Sequence, residues 1–120
     1  MKSLRLMVMA GVVTLAGLYA HEIKGKPISV NGTVVDTGCY FAGEATGAKH
    51  IACATMCAKN GIPLAIVDDA GKLYMVLGDE HKNPNTKLMP FIEKKVKVTG
   101  TLVEKGGIAG IAIKTIDAAE

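Results

Sequence analysis

From Ile28 to Ile116 the apolar side chains come in short runs separated by turn residues, and that rhythm restricts the chain more than any other feature. Runs of this length, rich in Val, Ile and Leu, read as strands, because a helix needs a longer stretch of 3.6-residue periodicity. The first covers Ile28 to Val35, with a bend or bulge expected at Asn31-Gly32. Leu64 to Val67 and Leu73 to Leu77 face each other across Asp68-Asp69-Ala70-Gly71, which has the chemistry of a hairpin turn. Val96, Val98 and Leu102 alternate with Lys97, Thr99 and Thr101, a half-buried strand with Gly100 at an expected bulge. Glu104-Lys105-Gly106-Gly107 then turns into a last strand, Ile108 to Ile116. Five short strands with a C-terminal hairpin predict a mainly β fold with one or two short helices, a small five-stranded barrel of the OB type over residues 28–117.

Two stretches interrupt the strands. Asp79 to Lys94 carries Asn83-Pro84-Asn85 and then Leu88, Met89, Phe91 and Ile92, the pattern of a loop and a short helix. Ala48 to Lys59, between the first and second strands, is Ala-rich and stops at Asn60-Gly61 with Pro63 beyond, a helix with a clear terminator. No internal repeat and no domain boundary divides this region.

Ahead of the strands, Lys2 and Arg5 precede an uncharged run from Leu6 to Ala20, the order of a secretory signal peptide over residues 1–20. Cleavage after Ala20 or after Ala16 fits, and residues 21–27 read as a flexible lead-in. A periplasmic or secreted location follows, with no membrane association once the leader is cut. Removing Lys2 and Arg5 from the 14 basic residues leaves 12 lysines against 11 acidic residues, a balance of +1. That is too little positive charge for a protein held on phosphates, and no Arg or Trp remains to read or stack on nucleic acid. Nucleic acid is therefore excluded as a partner.

The chemistry collects on the first helix. His50, Cys53 and Cys57 are spaced by three and four, so at about 100° per residue they project from one face. Cys39, at the end of the first strand in Gly38-Cys39-Tyr40, is placed to approach from a flanking loop. Three thiolates and an imidazole form a tetrahedral donor set suited to Zn(II) or Cu(I). An oxidising compartment also allows a disulfide from Cys39 to Cys53 or Cys57 with one thiol left over, or a purely structural burial of the cysteines. The imidazole favours metal, since neither a staple nor a core requires it. An enzymatic alternative is a thiol-disulfide redox component in which Cys53 or Cys57 attacks and His50 lowers its pKa. Either role implies a metal-accepting or redox partner protein.

Weaker candidates are few. His21, if it became the mature N-terminus, offers an amine and an imidazole to Cu(II); His81 reads as a solvated loop residue. Met56, Met75 and Met89 sit in apolar stretches and read as core. Asp68-Asp69 is a turn signal before it is a carboxylate pair, and Asn31-Gly32-Thr33 fits a glycosylation acceptor that a strand would make irrelevant.

Taken together, Gly38-Cys39-Tyr40, then His50-x2-Cys53-Ala54-x2-Cys57-Ala58-x2-Gly61-x-Pro63, followed by Val96-x-Val98-x-Gly100, resembles a group of small exported bacterial OB-fold-like proteins of unassigned function. The resemblance spans most of residues 28–116. It implies an exported single domain in which Cys39, His50, Cys53 and Cys57 act as one unit, and it implies no activity.

Overall fold

The computed structural model describes residues 22–43 and 46–120. The expected leader, its cleavage sites and His21 lie outside the described residues. The elements in chain order are β1 (Lys26–Asp36), α1 (Thr37–Ala42), a 3-10 turn (Ala48–His50), α2 (Ile51–Lys59), β2 (Leu64–Asp68), β3 (Leu73–Val76), α3 (Asn85–Leu88), β4 (Lys95–Lys105) and β5 (Ile108–Ala118). The strands close into a barrel in the order β1-β2-β3-β5-β4. Every neighbouring pair is antiparallel except β3 with β5. This is the OB-like architecture, with the cysteine-bearing helix between β1 and β2.

β1 holds the barrel together because it pairs along one edge with β2 and along the other with β4. It starts at Lys26, ahead of Ile28, and runs through Asn31-Gly32 without a break. Gly32 is there for close approach and not for a bend: a Cβ at that position would press on the Val67 carbonyl oxygen. The bulge at Gly100 is present, as a register shift between Thr99 and Gly100 in the β4–β5 ladder. Asp68 makes the hairpin turn by accepting hydrogen bonds from the backbone N–H groups of Ala70 and Lys72, at 3.0 and 2.8 Å. Asp69 pairs outward with Lys95, so the two carboxylates serve separate structural ends.

Leu64, Ile66, Val96, Val98 and Ile111 fill the barrel, and Leu88 and Ile92 enter the same core from the segment between β3 and β4. Ala54 and Ala58 also belong to it, so α2 lies against the barrel through its smallest side chains. That choice of face corrects the expectation for Met56. It projects from the opposite side of α2 and is 65% exposed, whereas Met89 packs against the core. Met75 is half-buried on β3.

Asn85 fixes where α2 ends. Its Oδ1 accepts from the Leu64 N–H at 2.8 Å, while its Nδ2 donates to the carbonyls of Ala58 and Ile62 at 3.2 and 2.9 Å. One buried amide thus satisfies three backbone groups of the α2–β2 junction. Asn85→Ala is expected to lower stability by about 3 kcal/mol, because buried groups are left without partners. Urea denaturation measures it, and a loss under about 1 kcal/mol would mean that water replaces the amide.

Candidate metal centre

The site is built where β1 leaves the barrel. Asp36, the last residue of β1, is 1% exposed and caps α1: its Oδ1 accepts from the Cys39 N–H at 2.9 Å. This corrects the expected placement of Cys39, which sits in a short helix and not in a loop. The helix exists because the cap supplies what six residues containing a glycine cannot supply from propensity. Thr37 then ties α1 to the exit of α2, its N–H and hydroxyl both donating to the Pro63 carbonyl at 3.0 and 2.9 Å. The two cysteine-bearing helices are therefore held to each other at the backbone.

α2 ends as its sequence requires. The N–H groups of Asn60 and Gly61 donate to the last carbonyls, Gly61 has φ 92°, and the Ile62 N–H donates back to the Cys57 carbonyl at 3.0 Å. At the other end, His50 closes the 3-10 turn that leads into α2. Its imidazole is buried, at 6% exposed. Gly47, just ahead of the turn, donates its N–H to Glu93 Oε2 at 2.8 Å, so the approach to His50 is also fixed.

Two clusters of donor atoms result, and Cys39 belongs to both. The sulfurs of Cys39, Cys53 and Cys57 lie within 4.8 Å of one another, as do the donor atoms of Asp36, Cys39 and His50. Metal–sulfur bonds of about 2.3 Å put two sulfurs of a tetrahedral site about 3.8 Å apart, so small side-chain movements close the thiol cluster on an ion. Cys53 is exposed, while Cys39 and Cys57 are half-buried. All three are free thiols. The four residues singled out in the sequence are thus close enough to hold a metal ion, meeting at Cys39.

Asp36 was not legible as part of the site. Its carboxylate links the two clusters, with Oδ2 3.0 Å from His50 Nε2. Burial alone would raise the Asp36 carboxyl, but the Cys39 N–H and the His50 ring together hold it below its ordinary 3.8. An ionised carboxylate can only accept, so His50 Nε2 carries the proton and a neutral ring keeps its lone pair on Nδ1. A carboxylate orienting an imidazole in this way is a common support for a metal-binding histidine. The one signal in the sequence was Asp-x-x-Cys directly after a strand, the spacing of an N-cap.

Cys39 and Cys57 are tuned in the opposite direction from the activated thiol of a redox enzyme. Desolvation first, then the charge of Asp36 and the neighbouring Cys53, push Cys39 up to about 12. Burial and the same two neighbours also raise Cys57. Both are therefore protonated near neutral pH, and an arriving ion has to displace those protons.

No family model, curated protein or solved structure matches the chain. Its chemistry is therefore read from its own residues. Among the described residues no helix is long and apolar enough to cross a membrane. His81 is exposed in the segment after β3, at φ 61°, away from the cysteines in sequence and in a different element.

Proposed function

We propose that this is a non-enzymatic, exported metal-binding protein that holds one thiophilic ion, Cu(I) or Zn(II), for delivery, buffering or structural stability. Cys39, Cys53 and Cys57 supply thiolates, and His50, oriented by Asp36, supplies an imidazole from Nδ1. The observation that carries the reading is the convergence of three sulfurs within 4.8 Å from two helices pinned to the same end of a barrel. The signal-like leader supports a periplasmic or secreted setting, where three exposed or half-buried thiols gain from being metallated.

Metal analysis of protein isolated under reducing conditions tests it: one equivalent of copper or zinc is expected, and a normally folded chain with none would overturn the reading. The pH dependence is a second signature. A thiol whose pKa is raised stays protonated through the neutral range, so binding releases its proton and strengthens as pH rises. These two thiols alone make affinity climb at least about a hundredfold per pH unit between about pH 6 and 8, measured by competition with a chelator and corrected for its own protonation.

The thiol-disulfide alternative needs an activated thiolate. Of its two candidate attackers, Cys53 and Cys57, burial and nearby charge shift Cys57 the other way. In the metal-free protein Cys57 is expected to react slowly with iodoacetamide near neutral pH, and its rapid labelling would favour the redox role.

A further inference from the structure

The three thiols are unequal in how firmly the fold holds them. Cys39 has its backbone N–H bound by Asp36 and its helix tied to Pro63 through Thr37. Cys57 has its carbonyl taken by Asn60 and Ile62 at the closed end of α2. Both side chains are half-covered. Cys53 is exposed, near the start of α2. Among its sulfur donors the site therefore has two embedded corners and one open one.

We infer that Cys53 is the exchange ligand of the site: Cu(I) is kept by Cys39 and Cys57 while Cys53 lets go, and the ion passes through that corner to a thiol-bearing acceptor. This rests on the metal-binding reading above, with copper as the ion. Cu(I) suits such a device because it is stable with two thiolates as well as with three, so losing one does not expel it. In the first step the sulfur of the acceptor thiol bonds to Cu(I) and the Cu–S bond to Cys53 breaks. The proton of the acceptor thiol ends on the Cys53 sulfur. Copper remains Cu(I), and no electron is transferred. Release from the two inner corners follows by the same substitution, each inner sulfur taking up a proton as a second acceptor thiol or solvent replaces it.

The full chain, loaded anaerobically with one equivalent of Cu(I), provides the test. Brief treatment with iodoacetamide, followed by native mass spectrometry and peptide mapping, should show a species with one label on Cys53 and copper still bound. Cys39 and Cys57 should label at least about tenfold more slowly, and only as copper leaves. A Cys53→Ser chain should keep its copper through desalting and pass it to glutathione faster than the unsubstituted chain, whereas Cys57→Ser should lose it on desalting. Copper loss coincident with Cys53 labelling, or loss from Cys53→Ser as complete as from Cys57→Ser, overturns the inference and leaves metal binding standing. An unsubstituted chain that keeps zinc but no copper overturns this inference alone, and one that keeps neither overturns the metal-binding reading with it.

Discussion

Replacing Cys39 by serine is expected to weaken metal binding by more than about a hundredfold while the barrel stays folded. A residue that only supports a ligand typically costs 10- to 100-fold when changed, and Cys39 is itself a donor shared by both clusters. Without it the Cys53–Cys57 pair is left on one helix, one turn apart, and the His50–Asp36 pair loses its link to the thiols. The fold should tolerate the change, since Cys39 is half-buried in a six-residue helix outside the core, and serine preserves the backbone N–H that Asp36 binds. Chelator competition gives the affinity, and circular dichroism confirms the strands. Wild-type affinity in Cys39→Ser would place the ion on a donor set that excludes this residue and would break the common-corner geometry.

Asp36→Ala is expected to be the most destabilising substitution at the site, costing about 2–4 kcal/mol by urea denaturation. The carboxylate is almost fully buried and makes two contacts that alanine cannot replace, the α1 cap and the His50 bond. A lost cap alone accounts for about 1 kcal/mol, and the rest comes from a buried imidazole N–H left unpaired. Asp36→Asn keeps an acceptor for the Cys39 N–H and separates the two contributions. The pH dependence has a definite sign. The carboxyl has a lower pKa in the folded protein than its ordinary 3.8, so the stabilisation it contributes is complete above that value and disappears as pH falls through the lower one. Acid titration of stability should therefore be flatter in this range for Asp36→Asn than for the unsubstituted chain. A cost below about 1 kcal/mol for the alanine variant would mean that the Asp36–His50 pair is not structural.

The barrel was readable because its evidence is repeated. Val96, Val98 and Leu102 alternate over several residues, and a sheet with one buried face demands that alternation. Asp68 to Gly71 and Gly100 were readable because their chemistry is local. Asn31-Gly32 misled for the same reason: the pair has turn chemistry, yet its two neighbouring strands hold it extended on both edges. The ligand set was visible from spacing, but its architecture was not. α1 is too short and too poor in helix formers to announce itself, and it depends on a side chain from the preceding strand. Nothing in Asp36-Thr37-Gly38 sets the acid apart, because burial comes from the closed barrel and leaves no mark on nearby sequence. Met56 looked like core because an apolar residue on a short Ala-rich helix does not say which side faces inward.

Because β1 ends in Asp36, pairing and site assembly are one event in folding. A slip of one residue in the β1–β2 ladder would send Asp36 to the opposite face, uncap α1 and carry Cys39 away from its partners. A chain that has not found its native pairing therefore cannot present the gathered thiols, and one that has presents them already sorted. In the exported setting proposed above, this would work as proofreading: the sulfurs meet only after the backbone has passed inspection.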